Sequence, residues 1–440
     1  MNPLLKKISL GMKKVSPGRL IAFGFAFVIL MGTLLLSLPV SHKPEATVSF
    51  TDALFTATSA VCVTGLMTVD AGSVFSGFGQ VVLLFLIQIG GLGITSIGVG
   101  ILAMTGQRLN FRERLLIKEA LNYPTLKGVW SLIRLVLGFT FGVEAVGALC
   151  SFAIFIREFP LGKAVWYAIF HAVAAFNNAG IDVFGRGDNL IPYAANVPMN
   201  LVTALLIILG GLGFFVARDL WLGRKTRRYT LHTRVVVTMT LLLLAVGTVL
   251  IKLTEGDNIT WLGAFFASTT ARTAGFSTFS FGNFSMAGLL VMMVLMFVGA
   301  SPGSTGGGMK TTTVFVALAS LRSASTNHPP EAFGRRISNE AQHKAFVVLS
   351  LGLIVVLAVS IVLCILEPTL GMADVFFEVV SAIATVGLST GITPGLGTAA
   401  RLLLVLTMYI GRLGPLTIAS LWVREPDRGI SLPEEDLPIG

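Results

Sequence analysis

Long and short apolar runs alternate along the chain. The long runs occupy residues 20–40, 81–104, 129–156, 201–222, 235–251, 289–298 with 312–321, 345–366 and 402–423. Roughly 20 apolar residues in a helix cross the hydrocarbon core of a bilayer, so these runs predict eight membrane spans. Between the members of each pair lies a shorter run, at 50–61, 164–176, 261–270 and 373–383. A helix of that length is too short to cross but long enough to dip into the membrane and return. The expected fold is an all-α polytopic membrane protein of four tandem span–pore helix–span repeats. Its eight transmembrane helices and four re-entrant pore helices would surround one pseudo-four-fold pore.

Each short run ends at a glycine within a turn of small residues: Gly65 in CVTGL, Gly180 in NNAGI, Gly275 in RTAGF and Gly387 in ATVGL. A phenylalanine stands ten residues before each, at Phe55, Phe170, Phe265 and Phe377. One glycine bend in an apolar segment signifies little; four in register specify a repeated element. A pore helix that stops at mid-membrane presents the negative end of its dipole, roughly half an elementary charge, to the interior. Four such ends on one axis favour a cation there. The turns beyond then offer carbonyl oxygens in place of the ion's water, and glycine supplies the positive φ and the missing Cβ. The candidate filter comprises Val63, Thr64 and Gly65; Asn178, Ala179 and Gly180; Thr273, Ala274 and Gly275; and Thr385, Val386 and Gly387. None of the four glycine positions carries a carboxylate, which excludes a calcium-type acidic ring. Further glycines at 90–93 and 210–213 read as helix packing.

Composition narrows the class. With 54% hydrophobic residues, 12% charged and a mean hydropathy of +0.83, a soluble domain of 440 residues is excluded, because its exterior would aggregate. The net charge of +10 invites a nucleic-acid reading, but its placement opposes one. Basic residues gather before the first span (Lys6, Lys7, Lys13, Lys14, Arg19) and after the second (Arg108, Arg112, Arg114), fourth (Arg224, Lys225, Arg227, Arg228) and sixth (Arg335, Arg336). The opposite connections carry Glu45, Asp70, Asp188, Glu255, Asp257 and Glu367. By the positive-inside rule this is a multi-pass plasma-membrane protein with both termini cytoplasmic and the glycine turns opening outward. Cys62, Cys150 and Cys364 and the scattered histidines have neither disulfide nor zinc spacing. With no HExxH and no paired catalytic carboxylates, the chain reads as no enzyme, and no cofactor is expected on it.

The expected organisation is a basic N-terminus at 1–19 and repeats at 20–105, 129–222, 235–321 and 345–423. Cytoplasmic loops at 106–128, 223–234 and 322–344 and a tail at 424–440 connect or end them. The basic loops around 108–127 and 224–234 and the acidic tail at 434–436 suit docking surfaces.

The third repeat breaks at 299–313, in GASPGSTGGGMKTTT, where Pro302 and a run of glycines cannot hold a helix. Irregular backbone at membrane depth is tolerated only against protein or a water-filled cavity. Gly303, Ser304, Thr305, Gly306, Gly307, Gly308 and Lys310 therefore form a candidate intramembrane gate. A phosphate-binding reading of the same string fails, since Met309 separates Gly308 from Lys310 and no strand precedes it. Arg412 stands where two other runs have Gly91 and Gly211, and an intramembrane arginine should face the cavity and have partners. It reads as a positive barrier beneath the filter, holding the 303–310 loop, with a clamp to a carboxylate as the alternative. Arg272 is expected to brace the third turn, on Glu378; Asp182 to concentrate cations at the outer mouth or to be a solvated loop acid; and Arg134 and Glu144 to serve helix packing.

The strings SAVCVTGL, TARTAGFST and IGRLGPLT, within repeats covering 20–423, resemble the Ktr/Trk/HKT superfamily of potassium-translocating membrane subunits, most of all its eight-span Ktr type. The resemblance implies a homodimer of pores, a cytosolic nucleotide-binding regulatory ring subunit as partner, and K+ uptake that Na+ often stimulates. Sodium-selective plant relatives tend to carry serine at the first filter glycine, so Gly65 favours potassium. The expected function is potassium uptake through a gated, channel-like pore. The alternative is a sodium or other cation symporter with alternating access.

Overall fold

The computed structural model describes residues 17–93, 129–223, 229–326, 328–414 and 417. Helix α1 (Pro17–Leu36) leads to the short α2 (Phe50–Cys62) and the returning α3 (Gly77–Leu92). A second group comprises α4 (Val129–Phe155), α5 (Leu161–Phe176), α6 (Val197–Leu212) and its continuation α7 (Phe214–Gly223). A third holds α8 (Leu231–Glu255), α9 (Trp261–Thr270), α10 (Met286–Phe297) and, beyond a break, α11 (Thr311–Thr326). The fourth is α12 (Asn339–Leu366), α13 (Met372–Ile383) and α14 (Thr398–Leu413). A two-residue antiparallel hairpin, β1 (Glu331–Ala332) with β2 (Arg335–Arg336), joins α11 to α12.

Local sequence sets where these helices begin. Ser49, Ser76, Asn196, Thr260, Ser285 and Ser338 each accept the backbone N–H three residues on. Such a cap satisfies one orphan donor and contributes about 1 kcal/mol. Glu255 adds a second anchor for α10, accepting from the Ser285 N–H at 3.1 Å and the Ser285 hydroxyl at 2.8 Å.

The four short helices form the centre. Phe55, Phe170 and Phe377 are fully buried; in α9 it is Phe266 rather than Phe265 that is. Around them the polarity is that of a bilayer protein. Hydroxyls such as Thr56, Ser59, Thr270 and Ser381 are buried, while Phe27, Leu149, Leu253 and Ile361 face outward on the long helices. Each returning helix packs on the short helix of the next group: α3 on α5, α6 on α9, α10 on α13, and α14 back on α2. That last contact closes the assembly.

Among the described residues, four helices are long and apolar enough to cross a membrane: Gly18–Leu36, Ile133–Phe155, Leu231–Asn258 and Asn339–Leu366. A fifth is reached if α6 and α7, bent by 93°, count as one. The returning helices are shorter than the expected spans because they stop at glycines. Gly93, Gly213 and Gly414 have φ of 79°, 91° and 88°, outside the helical range. The expected continuations into 94–104 and 418–423, the basic loop at 108–127 and the acidic tail at 434–436 lie outside the described residues.

Candidate functional site

Beyond each short helix the chain turns by the same device. Val63, Asn178, Thr273 and Thr385, each two residues before the turn glycine, have φ of 55°, 60°, 71° and 50°. Gly65, Gly180, Gly275 and Gly387 follow at 102°, 62°, 76° and 89°. Three of the four non-glycine positions are β-branched, for which a positive φ is a genuine outlier. Such residues cost about 1–3 kcal/mol each and persist only where the surroundings force them.

The turns form a closed ring in chain order. A Cβ added at Gly65 would lie 2.7 Å from the Ala179 carbonyl oxygen; at Gly180, 2.7 Å from that of Ala274; at Gly275, 2.6 Å from that of Val386. At Gly387 it would collide with the Thr64 carbonyl, closing the circle with the tightest contact of the four. The residue before each glycine thus aims its carbonyl at the glycine of a neighbouring turn. A side chain there must displace backbone.

Several residues that the sequence did not single out hold the ring. Ser59 and Ser381, each six residues before its glycine, accept the Gly65 and Gly387 N–H at 2.9 and 3.0 Å. The shared offset was the available signal. Asn189 donates to the Gly180 carbonyl at 3.0 Å and accepts from the Ser277 N–H at 3.2 Å, joining the second turn to the third. The Asn178 amide meets the Thr273 hydroxyl at 3.2 Å. Behind the second turn, Asn177 donates at 3.0 Å to both Gln88 and Glu144. Glu144 therefore does more than pack helices.

Outside the ring lies a cavity of about 370 Å³ lined by all four glycines and by Asp70, Asp182 and Asn189. Asp182 sits in the loop beyond the second turn, outside the spanning helices. Burial pushes its carboxyl up to about 6; nearby Asp70 and Asp188 add to this, against hydrogen bonds from the Phe184 N–H and Asn189.

Beneath the ring runs the break between α10 and α11. Gly306 lies so close under Thr273, and Gly307 under Thr385, that neither has room for a Cβ. The Thr305 hydroxyl donates to the Phe176 carbonyl at the end of α5, at 3.1 Å. Lys310 folds back on the loop, donating to the Gly306 carbonyl at 2.8 Å and to Gly307 at 3.3 Å. Gly303 and Ser304 lie apart from the ring. The Gly303 carbonyl accepts from the Phe214 N–H at 2.9 Å, and Ser304 bonds to the Ser301 carbonyl at 2.6 Å.

Arg412 is held by backbone. It donates to the Thr305 carbonyl at 2.6 Å and also to the Gly90 carbonyl. Among the described residues no carboxylate pairs with it, so the clamp alternative finds no partner among them. Arg272 does not meet Glu378 either. Arg272 borders a small void with Ile208, Gly211 and Leu244, while Glu378 accepts from the Thr393 hydroxyl. The later glycines serve close approach: Gly90, Gly210 and Gly411 abut the Val61, Phe176 and Ile383 carbonyls, each four residues before a turn glycine.

Known proteins share this chain's sequence and fold. The TrkH cation transport protein family matches residues 22–429. The potassium/sodium uptake protein NtpJ of Enterococcus hirae is 39% identical, over 97% of this chain and 98% of that protein. The Ktr system potassium uptake protein B of Bacillus subtilis is 36% identical over 97% of both chains, and that of Vibrio alginolyticus 37% identical over 96% and 94%. The crystal structure of the potassium transporter TrkH from Vibrio parahaemolyticus has the same fold, with a TM-score of 0.69 at 20% identity, over 91% of this chain and 85% of that one. Sequence match over nearly the whole length and agreement of fold place the chain in the TrkH/Ktr family, whose members are cation transport proteins and not enzymes.

Proposed function

We propose that this chain is the membrane subunit of a potassium uptake system, conducting K+ through a filter of backbone carbonyls. The observation that carries the reading is the closed ring of four turns, with the Thr64, Ala179, Ala274 and Val386 carbonyls directed at neighbouring glycines. A dehydrated cation needs oxygen ligands, and a ring without carboxylates offers dipoles of moderate strength that bind and release it. The short helices end at the ring, adding the negative ends of four dipoles. Four repeats of span, pore helix and span, with eight spans in all, account for the ring most simply.

The loop at 303–310 and Arg412 form the gate. They fill the space beneath the ring, and Lys310 and Arg412 place positive charge where a cation must leave. The basic segments lie on the cytoplasmic face with both termini, and the chain resides in the plasma membrane. The relatives named for a Ktr system support a multi-subunit assembly, here a homodimer of pores with a cytosolic nucleotide-binding ring subunit. The potassium/sodium uptake relative is in keeping with Na+ as an activator or second cargo. Uptake in a host lacking its own potassium transport tests the reading. Wild type should restore growth at low K+ with the ring subunit present, and Gly65→Ser should lower K+ affinity and admit Na+. Equal K+ and Na+ uptake by wild type would refute it.

A further inference from the structure

An apolar groove of about 1010 Å³ opens between α4, α6 and α7, remote from the ring. Its walls include Leu135, Val146, Leu205 and Leu209, and its floor Gly138 and Gly142. One end carries Arg134 and Trp221. This is the end opposite the outer mouth, since Arg134 lies near the start of α4 and α4 runs from there toward the loop before α5.

The groove is shaped by the 93° bend at Gly213, which turns α7 away from α6. A helix turned nearly at right angles to a span runs along the membrane surface, where an exposed tryptophan marks the headgroup level. Trp221 is 77% exposed. Arg134 is also exposed and has no ion-pair partner among the described residues. An arginine at the edge of an apolar membrane cavity requires an anion. We propose that the groove holds one anionic phospholipid of the cytoplasmic leaflet, its acyl chains between α4 and α6 and its phosphate on Arg134. Basic pockets between helices on that side select such headgroups.

The site borders the loop. Phe139 lines the groove and stacks edge-on against Phe214 and Phe176, with ring centroids 6.5 and 6.0 Å away. Phe214 donates its N–H to the Gly303 carbonyl, and the Phe176 carbonyl holds Thr305. An occupied groove therefore steadies these two anchors of the loop. This consequence rests on the gate reading; occupancy itself does not.

Native mass spectrometry of the purified chain, exchanged into phosphatidylglycerol or phosphatidylcholine of matched acyl chains, decides occupancy. A Cβ at Gly138 or Gly142 meets nothing within 4 Å, so Gly142→Leu and Gly138→Leu fill the groove without disturbing the fold. Wild type should retain phosphatidylglycerol at least tenfold over phosphatidylcholine. Arg134→Gln should abolish that preference, and both glycine variants should shed either lipid. Equal retention of the two lipids by wild type, or an unchanged preference in Arg134→Gln, would overturn the site. So would efficient bridging of Cys150, which lines the groove, between two copies by a short bis-maleimide, because a second chain would then be the occupant. If the lipid is lost from Gly142→Leu while flux stays within twofold of wild type, the hold on the loop is refuted and the site stands.

Discussion

The guanidinium of Arg412 spans two elements, reaching the Thr305 carbonyl of the interrupted loop at 2.6 Å and the Gly90 carbonyl at the end of α3. A half-buried cation satisfied by backbone oxygens binds the conformation that presents them. Each charge-assisted bond contributes roughly 1.5–3 kcal/mol. Arg412→Ala should therefore shift the loop toward release by about tenfold or more. Steady-state cation flux in proteoliposomes should rise and its dependence on the ring subunit fall, with K+ over Na+ preference unchanged. Arg412→Lys should be intermediate, because one ammonium cannot span both carbonyls as a planar fork does. Wild-type flux in a folded Arg412→Ala would remove the arginine from the gate.

Serine substitution at the four turn glycines should give a graded series. Every site demands a positive φ, but the space differs: a Cβ at Gly65 or Gly180 meets a carbonyl at 2.7 Å, whereas at Gly387 it collides with Thr64. Gly65→Ser should fold and conduct with weakened selectivity. Gly387→Ser should be the most damaging in both thermal melting and uptake. Equal tolerance at all four positions would contradict the packed ring.

The turn glycines, their phenylalanine offsets and the broken third group carry local signals, and the short helices lie where the apolar runs ended. The left-handed Val63, Thr273 and Thr385 carry none, since β-branched residues by themselves favour the opposite conformation. Tertiary closure of the ring imposes those angles. The Asn177–Glu144–Gln88 cluster joins residues 33 and 89 positions apart, beyond the reach of any spacing rule. Pairing Arg272 with Glu378 failed because opposite charge says nothing of direction: Arg272 borders Ile208, Gly211 and Leu244, whereas Glu378 accepts from Thr393.

Glu144 should prove a structural support of the second turn. Its side chain accepts from Asn177 at 3.0 Å and from Gln88 at 3.3 Å, all within the protein. Glu144→Ala takes away the acceptor of the half-buried Gln88 amide and one of the three acceptors of Asn177, at a cost of about 1–3 kcal/mol. Melting temperature in detergent should fall and K+ affinity weaken, while Glu144→Gln keeps an acceptor and recovers most of both. If the alanine variant matched wild type in both measurements, the cluster would have no bearing on the turn.

External pH should tune uptake through Asp182. Burial, with Asp70 and Asp188 nearby, pushes its carboxyl up to about 6, so acidification from pH 8 to 5 protonates it and removes negative charge from the outer mouth. Uptake at limiting K+ should decline across that window. Asp182→Asn should show lower uptake at pH 8 and a flat profile down to 5. A decline of the same size in the asparagine variant would assign the effect to another group.

A cation seated among the ring carbonyls would be located by anomalous scattering from crystals grown with Tl+ in place of K+. Peaks should lie on the ring axis within reach of the Thr64, Ala179, Ala274 and Val386 oxygens, and excess K+ but not Na+ should displace them. A ring empty at saturating Tl+, or Tl+ held by side chains such as Asp182 or Glu144 instead, would mean that the carbonyl ring is not the filter.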